Sequence, residues 1–306
     1  METTDTTETT ETTDTMDTMD TADTHGATET GAQQLLRIHL TFAVERWPGS
    51  GATLYGASQG VFLALLRAGD PAVATALHDG RQRKRFALSP LRVSPLATSS
   101  NHLAHAELTI TLWDTPLAVA LSKGVSAAPH LPLDVAAHPA RLLDAAIRDQ
   151  TTFAALLDTP RPHEQPGQSS QPLQWARFTT PTVFSWGRGV DGRHRYGLLP
   201  APEYVVGSWL RAWNAGGGSP LPFETTDDWL RESIRIHAIR SLHTAQAHTG
   251  KTPVTGFIGE VVYEWCGAVP GGHRALRALA SFARFCGTGS KTAYGLGQTE
   301  IGVSQL

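Results

Sequence analysis

Cysteine, methionine and lysine are scarce in this 306-residue chain, and each scarcity excludes something. The two cysteines, Cys266 and Cys286, are too few and too far apart for a disulfide framework or a thiolate metal site. A reducing, cytoplasmic setting is therefore expected. No apolar run reaches the roughly 18 residues that a membrane-spanning helix needs, so no membrane association is expected. The first residues lack the basic and apolar regions of a signal peptide. All three methionines (Met1, Met16, Met19) precede residue 20, which makes Met16 and Met19 alternative expected starts of translation. Lysine occurs only at Lys84, Lys123, Lys251 and Lys291, against 21 arginines. The planar fork of arginine suits phosphate and base recognition. A GC-rich coding bias produces the same excess, and both readings stand.

The overall charge of −3 hides a division. Residues 1–30 hold nine acidic residues and no lysine or arginine, which leaves 25 basic against 19 acidic residues in the body, about +6. From Asp5 to Asp23 an acid recurs every third residue, each followed by threonine, with no apolar periodicity. Residues 1–32 are expected to be a disordered acidic tail. A tail that competes for the basic surface of the body is the functional alternative.

Near the C-terminus, Phe285-Cys286-Gly287-Thr288-Gly289-Ser290-Lys291-Thr292-Ala293-Tyr294-Gly295-Leu296-Gly297 sets two G-x-G pairs around Lys291 and Tyr294. Glycines admit positive φ and close backbone approach, so exposed N–H groups cradling an anion are one expectation. A tight turn that closes a sheet is the other. Thr292 stands where the third glycine of a dinucleotide fingerprint belongs, and the glycine spacing is wrong for a nucleotide-phosphate loop.

Two similar halves can be read along the body. In the first, Leu35–Val44 reads as a strand, the spacing of Leu54, Val61, Phe62, Leu65 and Leu66 as a helix, and Asp70-Pro71 as the cap of a second helix over Ala72–Leu77. Strands follow over Arg85–Val93 and Ala104–Trp113, then a helix from Thr115 to about Lys123. Residues 126–157 carry competing Ala-rich and Pro-interrupted signals. In the second half, Gln174–Phe184 reads as a strand, Pro202–Trp213 as a helix, Ser233–Thr244 and Gly256–Trp265 as strands, and His273–Phe285 as a helix before the last strand. The expected fold is α+β, two tandem ferredoxin-like (RRM-like) domains with antiparallel sheets at 33–157 and 173–306, joined by a linker at 158–172. With a basic body, that plan fits an RNA-binding scaffold.

Three segments bear a family likeness. They are the glycine loop; Phe178-Thr179-Thr180-Pro181-Thr182-Val183-Phe184 with Leu198-Leu199-Pro200-Ala201-Pro202 and Trp213-Asn214; and Gln59-Gly60, Asp70-Pro71, Ala76-Leu77-His78 with Lys84-Arg85-Phe86. In these the chain resembles the CRISPR-associated repeat-processing endoribonucleases, the sixth Cas family of the RAMP superfamily. The resemblance covers residues 33–306. It implies cleavage of CRISPR repeat RNA by attack of its own 2′-OH on the adjacent phosphate, leaving a 2′,3′-cyclic phosphate and a 5′-OH, with no metal and no cofactor.

Carried over position by position, the resemblance makes His78 and Lys84 the catalytic pair. The tyrosine of the family falls at Leu63, a departure that leaves a His/Lys pair, and Tyr55 lies one or two helical turns too early. The expected RNA contacts are Arg81, Arg83 and Arg85 beside the pair, Arg188, Arg193 and Arg195 on a basic hairpin tip, and Gly287, Gly289, Lys291, Gly295 and Gly297 in the loop. Arg235, Arg240, Arg274 and Arg277 could extend that surface. His39, His102 and His105 compete with His78 for a catalytic role, each with a structural alternative, while His237 and His243 alternate along a strand. The expected partners are CRISPR repeat RNA and other subunits of a Cas effector complex. The competing function is a non-catalytic RNA-binding RAMP subunit, which would keep the glycine loop without needing His78 or Lys84.

Overall fold

A computed structural model describes residues 33–47, 50–79, 84–96, 103–159, 173–221, 227–249 and 253–304. The acidic tail, Arg81, Arg83, His102 and the linker from residue 160 lie outside the described residues. Residues 32–306 form one compact unit.

The first half opens with β1 (Gln34–Val44) and β2 (Ala52–Leu54), which lead into α1 (Tyr55–Gly69) and α2 (Pro71–His78). Asp70 starts α2 as its sequence suggests. Its carboxylate accepts from the N–H groups of Ala72 (3.0 Å) and Val73 (3.2 Å), and Pro71 occupies the first helical position. The expected strand over Arg85–Val93 is broken into β3 (Phe86–Leu88) and β4 (Leu91–Pro95), both paired with β5 (Ala104–Leu112). The break falls at Ser89-Pro90, where proline has no N–H to give the ladder. The Ser89 hydroxyl accepts from the N–H of Thr109 at 2.8 Å in place of a backbone carbonyl.

α3 (Thr115–Ala127) is capped by Asp114, which accepts from the Leu117 N–H at 3.0 Å. β6 (Leu133–Val135), β7 (His138–Thr152) and α4 (Phe153–Asp158) complete the half. Residues 126–157 thus hold a 15-residue strand, paired antiparallel with β1. Its composition, Arg141-Leu142-Leu143-Asp144-Ala145-Ala146-Ile147, favours helix, and pairing with β1 overrides that preference.

The second half runs β8 (Leu173–Thr182), β9 (Phe184–Arg188), β10 (His194–Gly197), α5 (Pro202–Ala215), α6 (Asp227–Ser233), β11 (Ile234–His248), β12 (Pro253–Trp265), α7 (Gly272–Cys286) and β13 (Thr299–Ser304). The strand orders are β2-β4-β5-β1-β7-β6 and β11-β12-β8-β13, with β9 and β10 as a separate hairpin. Each sheet therefore has the ferredoxin-like order, in which the fourth strand of the repeat pairs with the first and the third lies between the first and second. The pairings are antiparallel. No helix among the described residues is long and apolar enough to cross a membrane.

Two cores hold the unit together, and the C-terminal segment enters both. Leu40, Phe42, Phe62, Leu65, Leu108 and Ile110 fill the first, and Ala293 of the glycine loop is buried among them. The second gathers α5 and α7 under the C-terminal sheet and takes in Trp113 and Phe153 from the first half. Phe282 on α7 meets Trp113 at 5.5 Å, Phe153 at 5.1 Å and Trp213 at 5.5 Å between ring centroids. Such pairs add about 0.5–1.5 kcal/mol each beyond the area they bury. The halves are thereby pinned to each other by aromatic contacts along α7. Both cysteines are free, and burial pushes the Cys286 thiol far above its usual range.

Candidate nucleic-acid interface

Between α7 and β13 the glycine loop turns sharply, with φ of 68° at Gly287, 79° at Gly289, 92° at Gly295 and 67° at Gly297. Its backbone donors point inward. The N–H groups of Gly287, Thr288, Gly289, Ser290 and Gly297 go to the Ala283 carbonyl, the Gly297 carbonyl, the Ser208 hydroxyl, the Val183 carbonyl and the Pro181 carbonyl. The Gly295 N–H closes on Thr292 at 3.3 Å. This corrects the expectation of an open anion cradle at Gly287, Gly289, Gly295 and Gly297: their donors are already used within the protein. The glycines are needed for close approach instead. A Cβ on Gly297 would stand 2.0 Å from the Thr288 carbonyl oxygen, and one on Gly295 would stand 2.6 Å from the Pro90 nitrogen in the first half.

What this packing presents outward is the segment between the pairs. Lys291 has a left-handed φ of 62°, and a short 3₁₀ turn over Thr292–Tyr294 follows. The Lys291 ammonium lies 5.6 Å from the centre of the Tyr294 ring, and the Lys84 ammonium lies 5.3 Å from the same centre. Both distances are within cation–π range. Residues about two hundred positions apart in the chain thus meet on one aromatic ring. Gln298 helps to seat the loop, since its side-chain amide donates to the Leu88 carbonyl at 2.9 Å.

A groove of about 830 Å³ runs from this junction to the β9–β10 hairpin, lined by Lys291, Tyr294, Ser290, Arg188, Arg193, His194 and Tyr196 among others. None of the described residues that line it is acidic, and Arg188, Arg193 and Lys291 make the groove electropositive. Its floor is a small apolar core of Val183, Ala247, Val254 and Leu296, against which Tyr196 and Tyr294 pack. The hairpin projects because Gly187 and Gly192 supply positive φ (79° and 70°) and Asp191 accepts from the Arg193 N–H at 3.1 Å. Arg188 and Arg193 line the groove, whereas the guanidinium of Arg195 crosses the hairpin backbone over Gly189. His194 and Tyr196 stand with their rings nearly parallel, 17° apart, at 6.0 Å. Neither residue was singled out from sequence; their alternation with Arg193 and Arg195 was the available signal.

His78 is exposed on the last turn of α2, and Lys84 is exposed six residues later. Six residues of chain place their Cα atoms within about 21 Å of each other. Arg85 is engaged elsewhere, its guanidinium 3.6 Å from the Asp114 carboxylate that caps α3. Leu63, where the resemblance places the tyrosine of the family, packs against the first core. Tyr55 begins α1 and lines a different groove with Gln246, His248 and Thr249, where burial raises its phenol above the usual range.

Three of the other basic candidates, Arg235, Arg240 and Arg274, are committed to structural pairs. Arg235 bonds Glu264 at 3.0 Å and Arg240 bonds Glu260 at 2.6 Å. Arg274 donates to the Leu157 carbonyl at 2.8 Å and pairs with Asp158, fastening α7 to α4. Hydrogen bonds from Arg240, foremost, and Arg177 hold the Glu260 carboxyl below its usual range. His39 contacts the Thr109 hydroxyl at 3.4 Å, and His237 lies 3.3 Å from Glu264.

Residues 176–299 match the family model described as CRISPR-associated endoribonuclease Cas6. Among solved structures, the product complex of the Cas6 protein TTHB231 is 26% identical, with a TM-score of 0.69 over 87% of this chain and 99% of that one. A second structure of this Thermus thermophilus protein is 26% identical at a TM-score of 0.61, over 89% and 100%. A Cas6-related protein from Pyrococcus furiosus, 12% identical, shares the fold at a TM-score of 0.56 over 89% and 100%. No curated protein sequence matches the chain.

Proposed function

We propose that this chain, which matches the Cas6 family model over residues 176–299 and shares the fold of Cas6 structures, matures CRISPR RNA by metal-independent cleavage of the repeat. The observation that carries this reading is the acid-free groove running from the Lys84–Tyr294–Lys291 junction to the arginines of the hairpin. A polyanion fits such a groove, and a duplex or hairpin RNA gains affinity there through phosphate contacts and counterion release. In the reaction, the 2′-oxygen of the repeat bonds to the adjacent phosphorus as the bond to the 5′-oxygen breaks. The 2′-OH gives up a proton and the departing 5′-oxygen gains one. His78 serves one of these proton transfers, a contribution of about 10²–10⁴-fold. The Lys84 ammonium faces the charge that builds on the phosphorane. Arg188 and Arg193 hold the RNA away from the scissile bond.

Repeat RNA incubated with the full chain in EDTA tests the proposal. The expected products are a 2′,3′-cyclic phosphate and a 5′-OH, with His78→Ala slowed about 10²-fold or more while RNA binding persists. Unchanged cleavage by His78→Ala would move the proton transfer elsewhere. Tight binding without cleavage by the wild-type chain would favour the non-catalytic RNA-binding subunit.

A further inference from the structure

We propose that Tyr294 is a positioning residue that gathers Lys84 and Lys291 into one phosphate-binding pair at the scissile bond, an inference that rests on the endoribonuclease reading. The ammonium groups lie 5.3 and 5.6 Å from one ring centre, so they are separated by no more than about 11 Å. Both amines would otherwise extend into solvent, and the electron-rich ring attracts each of them, which keeps the two charges in one neighbourhood. The ring is itself half-buried and packed against the cores on either side, so its position is set by the fold.

A second, independent feature is the backbone of Lys291. At a φ of 62° it occupies the left-handed region, where glycine is the unstrained residue. The flanking loop uses glycine at its other left-handed positions, Gly287, Gly289, Gly295 and Gly297. A lysine kept at a strained position, with its amine on the groove, exchanges stability for a charge at that point. Chain order separates Lys84 from this loop, and contact with Tyr294 joins it to the loop. The phosphorane carries more negative charge than the phosphate it comes from, so two gathered ammonium groups favour it over the ground state.

Single-turnover cleavage of repeat RNA at saturating enzyme, with binding measured in parallel, tests the assignment. Tyr294→Ala is expected to slow cleavage roughly 10- to 100-fold, with less than about a threefold change in RNA affinity. Tyr294→Phe, which keeps the ring and loses the hydroxyl, restores most of the rate. Lys291→Gly relieves the strained φ, so its melting temperature is equal to or above wild type while its cleavage rate falls about 10²-fold. That variant carries the test even where Tyr294→Ala folds poorly. A wild-type rate in Tyr294→Ala or Lys291→Gly beside an active wild-type chain would overturn this inference alone. Equal losses in Tyr294→Phe and Tyr294→Ala would also overturn it, because the hydroxyl would then be the working group. An inactive wild-type chain would sink the endoribonuclease reading together with this one.

Discussion

Replacing Thr288 by valine would expose what holds the glycine loop in place. Thr288 is fully buried, and its hydroxyl lies in a chain of three hydrogen bonds. The Trp209 indole N–H donates to Thr288 Oγ1 at 2.8 Å, the Thr288 hydroxyl meets Thr299 Oγ1 at 2.7 Å, and the Thr299 hydroxyl ends on the Gly297 carbonyl at 2.8 Å. Valine keeps the shape of threonine but interrupts the chain in the middle. The Trp209 N–H, on a side chain with no exposed surface, loses its partner, at a cost of about 1–3 kcal/mol. The lost hydroxyl pair adds about 0.5–1.5 kcal/mol. Together they predict a destabilisation of about 1.5–4.5 kcal/mol, a fall in melting temperature of roughly 3–18 °C.

Serine is the control, since it keeps the hydroxyl and removes one buried methyl, worth about 1 kcal/mol. Thermal and urea unfolding followed by tryptophan fluorescence would rank the two. Burial of apolar surface alone puts valine above serine, and the hydrogen-bond chain puts it below. In the double variant Trp209→Phe/Thr288→Val the losses should fall short of additive by about 1 kcal/mol or more. A Thr288→Val protein as stable as Thr288→Ser would refute the reasoning.

Two further outcomes follow from local geometry. The Glu260 carboxyl is depressed below its usual value of 4.5 by Arg240 and Arg177, so folding is favoured by its ionised form. That contribution is complete above about pH 5 and lost as the pH falls through 4.5 towards the depressed folded value. Melting temperatures measured from about pH 3 to 6 should therefore drop more steeply for wild type than for Glu260→Gln, and parallel curves would remove Glu260 from the account. In the β6–β7 turn, Ala136 and Ala137 have φ of 50° and 67°, positive values that two-residue hairpins usually give to Asn-Gly. Ala137→Gly should stabilise the protein by about 1 kcal/mol in chemical denaturation, and a loss of stability would contradict the strain.

Where structure is set locally, the chain was legible. Asp70-Pro71 announces α2 because a carboxylate beside free N–H groups and a proline at the first helical position act within one turn. The hairpin bearing Arg188 and Arg193 could be read from its glycines, which are needed wherever the backbone turns at positive φ. The β7 strand was not legible, because residues 141–147 look helical and only the register with β1 makes them a strand. Arg274 had the composition of an RNA contact, yet its guanidinium fastens α7 to α4. Charge alone carries no information about what lies opposite it.

By itself, then, the sequence determined the tandem ferredoxin-like plan, which rests on short-range spacing and residue type, and the family likeness, which offers His78 and Lys84 as candidates. The tertiary structure decided what the glycine loop does. Its backbone donors turn inward, its glycines permit close packing, and Tyr294 brings Lys291 to Lys84. A meeting of groups some two hundred residues apart leaves no periodic trace in the chain, because it depends on how two sheets and α7 pack.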